Sequence, residues 1–384
     1  MSVRVEVSPR MLEWARARSG IGAADWDRRF PRYESWLIGA TTPTFKQLEA
    51  FADKTHTPFG FLLLDEPPVE TVPIADFRTV RDQPAGTGLT ANLLDVIYAC
   101  ERRQEWYREN QLLEGEEPLA FVGTASVGDG VEHAAEQLRA VLDWTAEHRT
   151  DSPTPDSMLT ALRERAESAG VLVMVSGIVG SNTHRKLDPQ EFRGFVLADS
   201  LAPLVFVNGA DAKAAQVFTL VHELAHLALG ETGISDLEPE SLRTSTVERW
   251  CNRVAAEFLV PMAEFRSRVD DTVDLRSQLR PLAEHFRVST QVILGQFREA
   301  ALLSWEGYLD ELAIERQRAA ASRTQRSSGG NYYNTRPVQV SKRFASALIA
   351  SAKEGRTPYT RAFRLLDLKK EATFDRLAER LGVV

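Results

Sequence analysis

The side chains best suited to chemistry in this chain lie in the run His222-Glu223-Leu224-Ala225-His226. Two histidines four residues apart project from the same face of a helix, so both imidazoles can reach one zinc ion. Glu223 lies one step round the helix, where its carboxylate can touch a water on that metal. The run therefore predicts a metal site with a base beside it.

A helix must hold this run, and residues 211–230 are predicted to form it. Apolar residues recur there at helical spacing, namely Val217, Leu220, Val221, Leu224, Leu227 and Ala228. Asp211 is the predicted N-cap, and Gly230 is the residue expected just past the helix end. A pair of helix histidines can also be merely structural. The apolar flanks would bury these imidazoles, which would then need partners, and this favours a zinc site.

A third protein ligand is needed, because zinc in a hydrolase takes three protein ligands and a water. Residues 246–260 are predicted to form the next helix, which ends before Pro261. Glu248 and Asn252 share one of its faces, so Glu248 is the predicted third ligand and Glu257 is the alternative. Either glutamate could instead be a solvated helix carboxylate. Asn252 could donate a hydrogen bond to a ligand or to the substrate.

The two helices together resemble those of a known family. His222-Glu-Leu-Ala-His226 followed by Glu248-x-x-x-Asn252-x-x-Ala255-Ala256-x-x-Leu259-x-Pro261 looks like the ImmA/IrrE family of zinc metallopeptidases, over about residues 170–262. The resemblance implies a glutamate ligand on the second helix. It also implies a protein substrate, commonly a helix-turn-helix repressor whose cleavage relieves repression. Many relatives have Glu-Ala-Asn where this chain has Trp-Cys-Asn, and this departure places the ligand role on Glu248.

These residues predict metal-assisted hydrolysis of an amide bond. Zinc on the two histidines and Glu248 would lower the pKa of a water toward about 7. Glu223 would be the catalytic base, taking a proton from the water and returning it to the leaving amine. In many zinc peptidases a tyrosine or a histidine donates a hydrogen bond to the oxyanion. No tyrosine occurs between residues 107 and 308, so His184 is the predicted donor.

Length and composition indicate a globular, cytoplasmic protein of two or three domains. The chain has 384 residues, of which 43% are hydrophobic and 26% charged, and its net charge is −8. That balance gives no general case for nucleic-acid binding. We expect no membrane segment, because no apolar run approaches about 20 residues, and no signal peptide. Cys100 and Cys251 are expected to be buried free thiols.

Three regions are expected along the chain, at residues 1–66, 67–310 and 311–384. The first resembles the XRE-type helix-turn-helix domain often found ahead of the ImmA/IrrE peptidase, in a shortened form. The second is the expected peptidase domain, with a helix-turn-helix-like segment at residues 280–300. The third is expected to begin as a basic linker and to end in helices. A proline-rich stretch at residues 65–73 marks the first boundary.

A basic strip extends from Arg316 to Ala345, with seven basic residues and no acidic ones. Such a strip is either a flexible linker or a surface that contacts phosphates. Residues 1–60 carry nine basic and seven acidic residues, so no strong basic face is evident there. Any weak DNA contact is therefore expected through Arg316–Arg343.

The expected fold class is α+β and mainly helical, with a zincin-like core. Strands are predicted at residues 171–175, 191–197 and 203–209, where they would form a small antiparallel sheet before the active helix. The predicted function is a zinc-dependent endopeptidase that cleaves a helix-turn-helix repressor or a similar regulatory protein. The alternatives are a non-catalytic zinc-binding regulator and a DNA-binding transcription factor of a stress, phage or toxin–antitoxin system.

Overall fold

The computed structural model describes residues 3–68, 75–76, 89–235, 245–323 and 332–383. It divides into two compact units, which comprise residues 1–73 with 80–98 and residues 74–79 with 99–384. Helices and a small sheet make up these units, which confirms the α+β, mainly helical fold class. Most of the proline-rich boundary segment and the middle of the basic strip lie outside the described residues.

The first unit is built from short helices around an aromatic core. These are α1 (Pro9–Ser19), α2 (Ala23–Arg29), α3 (Tyr33–Leu37), α4 (Phe45–Thr55) and a 3-10 turn (Phe59–Leu63). The ring of Trp26 packs edge-on against those of Tyr33 and Phe51. A capping box between Thr44 and Gln47 fixes the start of α4. Helix α3 has five residues, and the shortened helix-turn-helix domain and its DNA-reading role stay predictions.

The remaining elements lie wholly or partly in the second unit. Its helices are α5 (Ala91–Glu114), α6 (Val131–Val141), α7 (Ala146–Thr150), α8 (Pro155–Ser168), α9 (Lys213–Leu229), α10 (Thr246–Leu259), α11 (Met262–Arg268), α12 (Leu275–Phe286), α13 (Thr290–Glu299), α14 (Trp305–Arg323), α15 (Tyr332–Val340), α16 (Lys342–Lys353), α17 (Tyr359–Leu365) and α18 (Glu371–Leu381). Its strands are β1 (Ala75–Asp76), β2 (Leu172–Ser176), β3 (Ile178–Val179), β4 (Asn182–Lys186), β5 (Gly194–Leu197), β6 (Leu204–Asn208) and β7 (Gly233–Ser235).

The main sheet is mixed, and the expectation of an antiparallel sheet was wrong. Its strand order is β1-β7-β5-β6-β2. Strand β5 pairs antiparallel with β6 and β7, whereas β2 pairs parallel with β6 and β1 pairs parallel with β7. The residue pattern of a strand shows its burial but not its direction, which depends on how the chain returns to the sheet. Between β2 and β5 the chain forms the separate β3–β4 hairpin, in a stretch where no strand was predicted.

Helix α9 lies at the centre of the second unit. It packs on β5 and β6 and also on α8 and α10. Because neighbours cover it on several sides, its residues from Gln216 to Leu227 are almost all buried. A helix enclosed in this way can hold polar side chains out of water, and such side chains need partners.

The two ends of α9 differ in how well they follow the sequence expectation. Gly230 has φ 72° and ends the helix in the left-handed conformation, as predicted. Asp211 is not the N-cap, because the helix begins after Ala212. The Asp211 carboxylate turns inward instead, where one oxygen accepts a hydrogen bond from the Ala212 N–H and the other lies 3.8 Å from Arg193.

The described part of the basic strip is helical, where the sequence left open a flexible linker or a surface that contacts phosphates. Residues 316–323 belong to α14 and residues 332–340 to α15. Arg336 is only 1% exposed and donates to the Leu366 carbonyl at 2.9 Å. Arg343 donates to the Tyr107 hydroxyl at 2.7 Å. These two arginines are engaged inside the fold rather than presented to phosphates.

The C-terminal helices pack against the edge of the main sheet. Both α15 and α16 contact β2, which is the last strand of that sheet. The Glu167 carboxylate, at the end of α8, accepts hydrogen bonds from the Ser341 hydroxyl and the Lys342 N–H at the start of α16. The chain turns at Asp367, where φ is 52°, and this turn separates α17 from α18.

Candidate metal centre

Three side chains from α9 and α10 meet in the interior of the second unit. The Nε2 atoms of His222 and His226 lie 3.1 Å apart. Glu248 Oε2 lies 3.2 Å from the first nitrogen, and Glu248 Oε1 lies 3.3 Å from the second. One ligand atom of each residue falls within 4.8 Å of the others, and all three residues are fully buried. The structure thus brings together the three residues that the sequence predicted as ligands.

The local sequence explains why two helices can hold this group. On α9 the spacing of four places both histidines on one face, above an otherwise apolar helix. On α10 the Ser245 hydroxyl accepts from the Glu248 N–H, which fixes Glu248 in the first turn. Ala255 is fully buried and belongs to the same core as α9, and its small side chain lets the two helices approach closely.

The donor set fits a divalent transition metal. Imidazole nitrogen and carboxylate oxygen are zinc ligands, and three of them leave a fourth position open in a catalytic site. Both Glu248 oxygens are buried, and among the described residues neither forms a hydrogen bond of regular geometry. Buried polar atoms in this state are costly unless a ligand or ion satisfies them. His222, His226 and Glu248 are therefore the residues that would hold a metal ion.

Ionisation states at the site follow from burial and from the mutual contacts. Burial lowers the pKa of His222, and contacts with Glu248 and Asn252 raise it by a smaller amount. The neutral imidazole is therefore favoured. Burial alone would raise the pKa of Glu248, but the two imidazoles hold it at about 2. A neutral imidazole and an ionised carboxylate are the forms that bind a metal.

Glu223 lies beside this group in a different environment. Burial, and then the charge of Glu248, raise its pKa well above the ordinary value, while a hydrogen bond from Ser235 lowers it in part. The Ser235 hydroxyl donates to Glu223 Oε2 at 3.0 Å. Within the part of the chain that the structure describes, Glu223 Oε1 is buried without a hydrogen-bond partner. A buried carboxyl group with a raised pKa, next to a candidate metal site, is a candidate for proton transfer.

Gly194 on β5 forms the wall against which Glu223 rests. A Cβ atom at this position would lie 2.6 Å from Glu223 Oε1 and 2.9 Å from the Phe206 carbonyl oxygen. Both distances are too short for a real side chain, so only glycine leaves room for the carboxylate. Neither Gly194 nor Ser235 was recognised from the sequence as a site residue. Gly194 stood out only as a glycine inside a strand pattern, which can mark a close approach.

The other predicted site residues lie in different parts of the structure. Asn252 lies next to the group, since it donates to the Glu248 carbonyl at 2.9 Å and influences the pKa of His222. Glu257 is elsewhere on α10, where its carboxylate accepts from the Met262 N–H and starts α11. His184 is exposed in the β3–β4 hairpin, so the structure does not bring it to the buried group.

Comparison with protein families agrees with this geometry. Residues 166–296 match a peptidase family model that is described as the IrrE N-terminal-like domain. This segment includes all of α9 and α10. Residues 340–380 match a second family, described as a domain of unknown function (DUF8813). A search of curated proteins gave no match.

The peptidase-family domain implies a protein substrate. Among the described residues, no helix combines the length and the apolar character needed to cross a bilayer.

Proposed function

We propose that this protein is a zinc-dependent endopeptidase whose ligands are His222, His226 and Glu248. The observation that carries the proposal is the meeting of two imidazoles and a carboxylate in a fully buried group, within a peptidase-family domain. This donor set is one that catalytic zinc sites use, with a further position left for a water. The departure from the family pattern at residues 250–252 is compatible with it, since Glu248 reaches both histidines.

In the proposed reaction, each residue has a separate task. Zinc, when bound, would supply Lewis-acid activation of a water and of the scissile carbonyl. The Glu223 carboxylate would take a proton from the attacking water and return it to the leaving amine. Ser235 holds one oxygen of Glu223 and leaves the other available. Asn252 positions the ligands from the side of α10.

The finer parts of the proposal concern the substrate and the compartment. A helix-turn-helix repressor or a similar regulatory protein is the proposed substrate, supported by the resemblance of the two site helices to the ImmA/IrrE family. A cytoplasmic location is proposed because Cys100 and Cys251 are both buried free thiols.

Replacing Glu223 by glutamine tests the function. The Glu223→Gln variant should keep the zinc and the fold, but cleave a labelled unfolded protein such as casein, or a candidate repressor, at least about a hundredfold more slowly. Glu257→Gln makes the same chemical change outside the site and should retain activity. Zinc content, circular dichroism and cleavage rates would be measured on both variants. Undiminished cleavage by Glu223→Gln would rule out the assigned base.

A further inference from the structure

A large cavity lies in the second unit beside the buried metal group. Its volume is about 780 Å³, within the range of ligand-binding pockets. Its walls come from the loop before α9 and the first turn of that helix, from the outer face of α10, and from α13 and α14. The residues that line the cavity do not include the proposed zinc ligands or the proposed base.

The charge of this cavity is opposite to that of the whole chain. Six cationic residues line it, namely Arg193, Lys213, Arg249, Arg253, Arg298 and Arg316. Two carboxylates line it as well, Asp211 facing Arg193 and Glu299 between Arg253 and Arg298. The chain as a whole carries a net charge of −8. A cationic cavity on an acidic protein attracts anionic groups by long-range electrostatics.

The outer face of α10 contributes most directly to this surface. Arg249, Asn252, Arg253 and Ala256 follow one another at helical spacing and all line the cavity. Arg249 is exposed, and its guanidinium forms no hydrogen bond or ion pair with the other described residues. Arg253 is half exposed and 3.0 Å from Glu299. Both arginines are thus placed to meet a ligand.

Two wall residues connect the cavity to the metal group. The ring of Phe218 lies 6.3 Å from that of His222, in a stacked arrangement. Asn252 donates to the Glu248 carbonyl at 2.9 Å. Arg249 follows Glu248 directly in the chain. A ligand in the cavity would therefore lie next to the residues that hold the metal.

We propose that the cavity binds acidic side chains of the polypeptide substrate next to the scissile bond, and that Arg249 and Arg253 determine this specificity. This inference rests on the proposed endopeptidase function and adds the class of substrate. The cations come from several separate elements around the cavity. Such a spread matches a chain segment with several carboxylates better than a single phosphate group.

Binding to an inactive chain tests the cavity without requiring cleavage. The zinc-loaded Glu223→Gln protein would be titrated, by fluorescence anisotropy, with labelled peptides of alternating Glu and Ala, Gln and Ala, or Lys and Ala. The Glu/Ala peptide should bind most tightly and weaken with added salt. Adding Arg249→Gln and Arg253→Gln together should weaken the affinity for the Glu/Ala peptide about tenfold, since each partly exposed ion pair contributes less than about fivefold to binding.

Matched variants separate this effect from a general change of charge. Arg280→Gln removes a cation that is exposed on α12 and outside the cavity, and it should leave binding of the Glu/Ala peptide unchanged. Arg249→Glu with Arg253→Glu should shift the preference toward the Lys/Ala peptide. Zinc content and circular dichroism would establish that each variant is folded.

A cleavage assay then distinguishes failure of this inference from failure of the proposed function. Active protein given a random peptide mixture should cut next to acidic residues, and the double arginine variant should lose that preference. Cleavage without any acidic preference, or equal binding of the three peptides, would overturn the inference and leave the endopeptidase intact. Absence of cleavage with intact binding of the Glu/Ala peptide would reject the peptidase instead. Tighter binding of ATP or inorganic phosphate than of the peptide would reassign the cavity to a small anion.

Discussion

Two buried carboxylates of the second unit have opposite surroundings. Glu167 accepts hydrogen bonds from the Ser341 hydroxyl at 2.6 Å and from the Lys342 N–H at 2.8 Å. Glu248 faces the nitrogens of His222 and His226, and among the described residues neither of its oxygens is hydrogen-bonded with regular geometry. Both residues are almost completely removed from solvent.

The difference between them distinguishes a carboxylate with a structural role from one that is suited to binding a metal ion. A buried carboxylate that has its donors fixes neighbouring elements, as Glu167 fixes the start of α16. A buried carboxylate that lacks donors, beside two imidazoles, is incomplete until a cation joins it. Burial alone would not distinguish the two, whereas the accounting of hydrogen bonds does. The following changes are expected to break one cluster while leaving the other intact.

The largest effect is expected from Glu248→Ala. Without the carboxylate, two imidazoles remain, and zinc affinity should fall by orders of magnitude with complete loss of peptidase activity. Glu257→Gln, on the same helix, should keep both metal and activity. Zinc content after dialysis would be measured for the two proteins. Retention of zinc by Glu248→Ala, with its loss from Glu257→Gln, would reverse the assignment of the third ligand.

Gly194→Ala should disturb the base without removing the ligands. The new Cβ would collide with Glu223 Oε1 and the Phe206 carbonyl, so the carboxylate must shift. We expect zinc to be retained and cleavage to slow by about tenfold or more, since overpacking of this kind costs about 1–3 kcal/mol. Gly60→Ala is the control, because a Cβ there meets nothing within 4 Å. Equal rates for both variants would show that Glu223 has room to move.

Arg343→Gln should destabilise the hydrogen-bonded cluster around Glu167. It removes the hydrogen bonds from Arg343 to the Tyr107 hydroxyl and to the Glu167 carbonyl, so we expect a loss of about 1–3 kcal/mol in the free energy of unfolding. Zinc content should not change. Urea unfolding would measure the loss, with Arg280→Gln as a surface control. If the side chain contacts DNA instead, the variant would bind DNA with a flatter salt dependence and unfold like the parent.

The smallest effect is expected from Glu167→Gln, and it depends on pH. Burial raises the pKa of Glu167, with the hydrogen bond from Ser341 opposing it in part. The stability contribution of a carboxyl group with a raised folded pKa is complete below its unfolded pKa, near about 4.3, and is lost as pH rises through the folded value. The glutamine variant should therefore gain stability relative to the parent as pH increases from about 4. Parallel stability curves would contradict the shift.

The parts of the site that the sequence predicted are those encoded by local spacing. The two histidines and Glu223 follow from the repeat of a single helix, and Gly230 follows from the need for a left-handed helix end. Glu248 required a comparison of two helices, yet its position in the first turn of α10 was still readable. The strands that became β2, β5 and β6 were recognised from their apolar runs.

The parts that were missed depend on contacts between distant segments. Strand β7 has three residues, which is too short for periodicity to show, and so Ser235 could not be linked to Glu223. The fit of Gly194 against Glu223 joins a strand and a helix that are far apart in sequence. The direction of β2 and the inward turn of Asp211 also depend on packing. Apart from the glycine inside the β5 strand pattern, none of these features has a local signature.

The packing of the C-terminal helices on β2 has a consequence for inheritance. The peptidase-family segment 166–296 and the DUF8813 segment 340–380 are separate matches in sequence. In space they share a boundary, because Glu167 holds the start of α16 and both α15 and α16 lie against β2. A gene rearrangement that separated the two segments would expose the apolar surface of β2. It would also leave the buried Glu167 carboxylate without its hydrogen-bond donors. We therefore expect the two segments to descend as a pair, with changes at residue 167 matched by changes at residue 341.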